Sequence, residues 1–402
     1  MKLQNRTNFT IVIFGLFSIG LSLIKFKYCF ERDFAGLAAV SHGCYTDIPI
    51  FWNSHLFEVH IWPYKELTIP EINDLIKPVE YPFMTGLIMW LLSYITPLTG
   101  NSDGNFFIVN ALFISLLFIA SYFILNKIKT KSFTLLAASP ALALSLFINW
   151  DMWVVFTLLL AVYFYDANKI NRSSLFLAMS ISFKFFPIAI LPIVLILGLK
   201  TNQLKMALQY VTKVIMFFTL INLPAAIYNF DGWFYFYKFS SERSFGLGSI
   251  WEILDFGGSD FEPNNAIYMV CTFGLFVLIS YYIFKFETRL KLSELGYFFI
   301  FAFVLFNKIY SPQYVIWLSF LAVLTIQTTR QKIFFVIWQV TELIYHFAIW
   351  RFLFWQGYGH QSEGLNLHGY LWSSIARYIG LLMFTGSLIY PRLKKNLSKR
   401  KR

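Results

Sequence analysis

The sequence predicts an all-α polytopic membrane protein, a bundle of roughly twelve transmembrane helices. Three observations predict it. Of the 402 residues, 57% are hydrophobic and 13% charged, against about 45–50% and about 25% in soluble domains. Apolar runs of spanning length recur along the whole chain. Charge is sorted: the tail 391–402 holds seven bases and no acid, while 14 of the 21 acids fall in two segments, 26–80 and 227–263. This composition excludes a soluble enzyme, a disordered chain and a disulfide-rich secreted module.

The first apolar run, 9–25, follows Lys2 and Arg6 and has no small-residue cleavage site after it. It reads as a retained span, not a signal peptide. Further candidates are 81–98, 106–126, 132–148, 152–166, 174–198, 206–226, 264–284, 294–306, 313–326, 332–350 and 372–390. No soluble domain, linker or repeat interrupts them, so 1–402 is read as one transmembrane unit.

The net charge of +12 fits a basic cytoplasmic side better than nucleic-acid binding. The tail 391–402 then lies in the cytoplasm, and twelve spans put the N-terminus there too. The acidic segments become a first outer loop, 26–80, and a second, 227–263. The first is long for a connector. Its clusters Ile48–Trp52 and Ile61–Tyr64 predict short helices on the outer membrane surface. Two basic loops resist this layout. Lys127, Lys129 and Lys131, then Lys169 and Arg172, come out on the outer face, so a re-entrant segment is expected within 81–200. Three cysteines, Cys29, Cys44 and Cys271, are too few for a framework. Cys29 and Cys44 share the first loop and would pair in an oxidising compartment, but free thiols are the expectation.

Ionisable groups inside spans are costly and mark function by default. Asn149 and Asp151 flank Trp150 between two apolar runs. Lys184 is followed by Pro187. Lys308 lies in an Asn-Lys-Ile-Tyr-Ser-Pro-Gln-Tyr stretch that includes Gln313 and Tyr314. Glu342 and His346 share a helix face at i, i+4, and Arg351 ends that span. Each has a structural reading: a cap, a snorkelling lysine, a mutual pair. Their number argues for a polar cavity in the bundle.

Asp47 is the sharpest candidate, just outside the membrane in Cys44-Tyr45-Thr46-Asp47-Ile48-Pro49. Structurally it reads as the N-cap of a surface helix with Pro49 in its first turn. Asp33 competes with it but looks like a solvated helix start. His42, His55 and His60 lack the spacing of a metal site, and no carboxylate cluster suggests a dinuclear one. There is no phosphate-binding Gly-rich loop and no GxSxG, and Gly246-Leu247-Gly248 does not continue into a Rossmann fingerprint. No metal, cofactor, nucleotide or nucleic acid is therefore expected.

Several of these segments, in order, resemble the GT-C superfamily of membrane glycosyltransferases. They are Tyr45-Thr46-Asp47-Ile48, Trp62-Pro63-Tyr64, Glu80-Tyr81-Pro82, Ser139-Pro140 with Asn149-Trp150-Asp151, and Phe183 to Pro187 around Lys184. Arg243 with Ser249-Ile250-Trp251 and Phe306-Asn307-Lys308 with Ser311-Pro312-Gln313-Tyr314 follow. The pattern is most similar to glycosyltransferase family 87, which includes polyprenyl-phosphate-mannose-dependent mannosyltransferases. The resemblance runs from 44 to about 351. It implies a GT-C-type bundle that moves a sugar, mannose in that family, from a polyprenyl-phosphate donor to a hydroxyl of a glycolipid or cell-envelope glycan. The reaction would invert the anomeric centre on the outer face of the plasma membrane. Asp47 matches the family's catalytic acid and would be the general base. Arg243 and Lys308 would bind the donor phosphate. Gln313, Tyr314, Glu80, Tyr81, Glu342 and His346 would serve substrate binding. Asn149, Asp151 and Lys184 are further candidates, but the twelve-span layout puts Asp151 and Lys184 near the cytoplasmic end, away from Asp47. A lipid or solute transporter, a lipid-linked glycan ligase and a non-enzymatic scaffold are the competing classes. A transporter would often show two similar halves, and none are found.

Overall fold

In the computed structural model the described residues are 2–34, 36–69, 74–128, 132–137, 139–256, 264–287, 290–357 and 363–400. Lys129, Lys131, Arg289 and the part of the second loop from 257 to 263 lie outside them.

The chain is helical. After α1 (Lys2–Phe30) come two short helices, α2 (Gly36–Ser41) and α3 (Asp47–Ser54), and a hairpin of β1 (Leu67–Ile69) and β2 (Asp74–Ile76). Short helices were expected there: α3 covers Ile48–Trp52, but Ile61–Tyr64 is irregular chain and turn, and the hairpin was not expected. Then follow α4 (Phe83–Ser93), α5 (Ser102–Lys127), α6 (Thr134–Ala137), α7 (Pro140–Ser145), α8 (Asp151–Asp166), α9 (Ile170–Phe183) and α10 (Ile190–Lys200). The remainder is α11 (Leu204–Tyr228), α12 (Phe230–Glu242), α13 (Ile250–Leu254), α14 (Asn265–Phe286), α15 (Leu292–Leu305), α16 (Tyr314–Thr325), α17 (Thr329–Gly357) and α18 (Leu367–Arg400).

Among the described residues, five helices are long and apolar enough to cross a membrane: α1 from Phe9, α5, α11, α14 and α17. They mark the chain as membrane-embedded. Two of them start on an asparagine that satisfies a free N–H group. Asn101 accepts from Gly104 N at 2.6 Å to open α5, and Asn264 accepts from Ile267 N at 3.2 Å to open α14. α15 and α16 are short yet almost wholly buried. They form the centre of the bundle, which is why they need no amphipathic pattern. α11 and α14 instead expose Ile215, Leu220, Val270, Phe273 and Val277, an apolar surface of the kind expected against lipid.

Contacts order the two ends of the bundle. Asn101 at the start of α5 bonds Phe30 O and Asp33 at the close of α1. Gly15 packs on Ile119, and Phe26 on Phe107. The two helices are therefore antiparallel, and α5 ends at the pole opposite α3. α4 behaves differently. Its first turn rests on Tyr64 and its last on His60: Tyr64 donates to Pro82 O at 2.7 Å, and the His60 ring meets Ser93 at 2.9 Å. Eleven residues rise only about 16 Å. Both ends stay at the α3 pole, so 81–98 does not traverse the bundle.

The run 174–198 is also revised. It breaks at Lys184, whose backbone is extended (φ −150, ψ 146), and Pro187 follows in a 3-10 turn. Thr85 of α4 donates to Phe183 O at 2.6 Å, so the break lies near the α3 pole and α9 and α10 are two separate passes. The run 132–148 is not one helix either, because α6 and α7 climb in two short pieces to Ile148, which accepts from Asp47 N at 2.8 Å. Removing one traverse at α4 and adding one at Lys184 changes the side of everything between them. Lys127, Lys169 and Arg172 accordingly fall at the pole opposite α3. There Asp166, ending α8, accepts from Leu292 N at 2.7 Å, and Lys200, ending α10, bonds the last carbonyls of α14.

Candidate functional site

A cavity of about 830 Å³ opens at the α3 pole. Asp47, Glu80, Tyr81, Asn149, Lys184, Arg243, Lys308, Gln313 and Tyr314 line it. Nine positions picked from sequence, spread over more than 260 residues, thus share one space.

Asp47 is held from several directions. The cap of α3 is Thr46, not Asp47. The Thr46 side chain accepts from Ile48 N and donates to Phe147 O at 2.7 Å. Asp47 takes the first helical position, and its N–H binds Ile148 O. The carboxylate faces the cavity, with Tyr81 OH donating to Oδ2 at 3.2 Å and Tyr45 and Asn149 bonding it as well. Burial pushes its pKa above the usual carboxylate range, while the Tyr45 bond, the Lys184 charge and the bonds from Tyr81 and Asn149 hold it down. Glu80 is also pushed up, chiefly by burial, with Arg243 opposing.

The layout that separated Asp151 and Lys184 from Asp47 is overturned, because the helix break at Lys184 brings that side chain to the cavity. Its ammonium bonds Asp151 Oδ1 at 2.5 Å and stands 5.1 Å from the Trp317 ring and 5.5 Å from the Tyr81 ring. Asp151 sits behind the wall, 1% exposed, and accepts from Trp317 Nε1 at 2.7 Å. It orients the lysine rather than lining the space.

Lys308 plays another part than a free phosphate ligand. Its ammonium bonds three carbonyls closing α12, those of Ser240 at 3.2 Å, Ser241 at 3.0 Å and Arg243 at 2.7 Å. Three donors meet three acceptors, and a cation suits a helix C-terminus. Burial and the neighbouring Arg243 push its pKa down. Lys308 therefore fixes the point where α12 ends and Arg243, exposed at the rim, begins its turn.

Glu342 and His346 do not line the cavity, and they do not pair with each other. Glu342 is bonded by Arg377, Tyr310 and Trp338. His346 lies behind Trp350 with Nδ1 3.3 Å from Ser145 Oγ. Aromatic residues complete the walls. Trp350 stacks on Tyr45 at 5.0 Å, and Trp317 stacks on Tyr314 at 3.6 Å and on Phe186 at 4.0 Å. Phe185, Phe236, Tyr237 and Phe239 add apolar surface. Phe185 and Phe186 lie in the stretch around Lys184 already singled out; the only signal of the others in the sequence was aromatic clustering, which most apolar runs share.

The expectation of free thiols at Cys29 and Cys44 is also corrected. They form a disulfide with Cα atoms 6.0 Å apart, tying the end of α1 to the segment just before Asp47. No protein-family model, curated protein or solved structure matches the chain.

Proposed function

We propose that this chain is an inverting glycosyltransferase that takes a sugar, mannose by the family resemblance, from a polyprenyl phosphate. One observation carries the reading. A carboxylate with a raised pKa faces an aromatic-walled cavity that also holds Lys184 and Arg243. The acceptor hydroxyl oxygen attacks the anomeric carbon as its proton passes to Asp47. The bond from that carbon to the phosphate oxygen breaks, and polyprenyl phosphate leaves with the electron pair. Arg243, at the rim, and Lys184 offset the charge that develops. The aromatic surface from Phe185 to Phe239 suits the first prenyl units. A single displacement needs one base, and the two-carboxylate rule of glycosidases does not apply. The reaction draws on no metal or nucleotide, and its acceptor is a glycolipid or glycan hydroxyl.

Twelve crossings fit the fold: α1, α5, the α6–α7 climb, α8, α9, α10, α11 and α14 to α18. Two independent features support a cavity on the outer face of the plasma membrane with both termini cytoplasmic. The loops with Lys127, Lys169, Arg172, Lys200, Lys285 and Lys332 gather at the opposite pole. The disulfide lies at the cavity pole, and disulfides persist in oxidising compartments.

The test is transfer from synthetic polyprenyl-phosphate-mannose to endogenous membrane lipids, wild type beside Asp47→Asn at equal folded levels. Transfer by wild type and a fall of about 10²–10⁴-fold in the variant is expected. Equal transfer by both removes Asp47 as base. No transfer from this or other polyprenyl-phosphate sugars favours a transporter.

A further inference from the structure

The two loops that complete the cavity, 246–252 and 306–313, are tied to each other by backbone bonds and to the bundle by two buried clusters, one centred on Arg377 and Glu342 and one on Glu252 and Tyr370. Gly246 N donates to Lys308 O at 2.9 Å, and Tyr310 N to Leu247 O at 3.3 Å. Arg377 of α18 is fully buried. Its Nε donates to Glu342 Oε2 at 2.7 Å, and its terminal nitrogens donate to the Tyr310 and Ser311 carbonyls. Tyr310 OH returns to Glu342 Oε1 at 2.7 Å. The first loop is seated the same way. Tyr370 OH donates to Glu252 Oε2 at 2.6 Å, Gly248 N reaches both Glu252 and Tyr370, and Tyr378 OH donates to Gly248 O at 3.2 Å. Gly248 has φ +76, and a Cβ there would collide with the Tyr345 hydroxyl and the Tyr310 carbonyl, so the seat leaves no room to shift.

We propose that Arg377 and Glu342 are positioning residues that hold these loops, with Tyr370 seating the first, so that Arg243 and Gln313 face the donor in the correct register. The proposal rests on the transferase reading. A charge pair buried inside a membrane bundle is a weak source of stability compared with apolar side chains of similar volume. What this one supplies beyond the pair is a set of donors aimed at loop carbonyls, in a fork that lysine cannot reproduce. The reacting groups lie elsewhere, so the cluster should set donor binding and leave the acid limb of the pH profile, which belongs to Asp47, where it is.

Two variants test this. The double variant Arg377→Met, Glu342→Leu removes both charges together, which avoids stranding either one. Tyr370→Phe removes a single hydroxyl and is the milder probe if the double variant does not fold. Amide hydrogen exchange is read in 246–252 and 306–313, and donor KM and kcat are read beside it. The expectation is exchange at least 10-fold faster in both loops for the double variant and in 246–252 for Tyr370→Phe. Donor KM should rise at least 10-fold in the double variant and about 3-fold in Tyr370→Phe, with a smaller change in kcat and the same acid limb. Wild-type exchange in a folded variant overturns the proposal, and so do loosened loops with a wild-type KM. If the wild type transfers no sugar, the transferase reading fails on its own, and the exchange readout alone upholds or overturns the clamp.

Discussion

Thr46 takes the helix cap and leaves the Asp47 carboxylate for the cavity. The sequence offered Asp47 for both roles, since Asp and Thr are both good caps. What separates them is the bond from Thr46 to Phe147 O, a contact across 101 residues that no local pattern contains. Thr46→Ala is expected to lose about 1 kcal/mol, read as a fall in the denaturation midpoint, and to lower transfer by loosening Asp47. The raised pKa of Asp47 gives a signed prediction for activity. A general base works deprotonated, so activity should fall as pH drops through a value above the ordinary carboxylate range. The sign for stability is opposite. Burial disfavours the charged form, so Asp47 weakens the fold above its folded-state pKa, and that weakening disappears as pH falls. Asp47→Asn should therefore be at least as heat-stable as wild type near neutral pH while losing activity. A variant that lost both would point to a structural carboxylate instead.

At the scale of elements, apolar runs were legible and their breaks were not. Central helices such as α15 and α16 follow directly from hydropathy. The break at Lys184 was marked only by a lysine and a proline three residues on, a signal that also fits a snorkelling lysine in an intact span. The side chain had to find Asp151 and Trp317 for the break to make sense. α4 was the reverse case: its composition suits a span, but both its ends are fixed to the His60–Tyr64 stretch. The disulfide adds a constraint between α1 and α3. It closes a separation of 15 residues, and a loop of that size stabilises by about 3 kcal/mol in the chain-entropy account. Cys29→Ser or Cys44→Ser should lower the midpoint of thermal unfolding, and reductant should then have little further effect. A midpoint as sensitive to reductant as that of wild type would exclude the bond from the stabilising set.

At the scale of the whole molecule, the poles of the bundle make a topological prediction. In a Cys271→Ser background, cysteines placed at Lys127 and Lys169 should react only with reagents that reach the side of the basic tail. One placed at Glu58 should react from the other side. Labelling of Lys127→Cys from the Glu58 side would restore the simple alternation of spans and sink the arrangement around α4 and Lys184. The cavity itself was partly legible. Costly polar residues inside apolar runs pointed to Asn149, Lys184 and Lys308 with its neighbours Gln313 and Tyr314, because burying such groups without purpose is disfavoured; Asp47 stood out in the first loop, and Glu80, Tyr81 and Arg243 came only from the family resemblance. The same reasoning picked Glu342 and His346, which are buried for other ends, and passed over Arg377. It sits in the C-terminal helix α18, where no motif drew attention to it.

From the residues alone follow a helical membrane protein, sorted charge, two polar segments and an unusual set of ionisable groups within apolar runs. Those are sums over local composition, and hydropathy reports them faithfully. The tertiary structure alone decided which apolar runs traverse, which pole each loop occupies, that two cysteines join, and which charges face the cavity and which face each other. Each of those depends on contacts between residues far apart in the chain. The position of a single turn changes the side of every element after it until a second turn restores it.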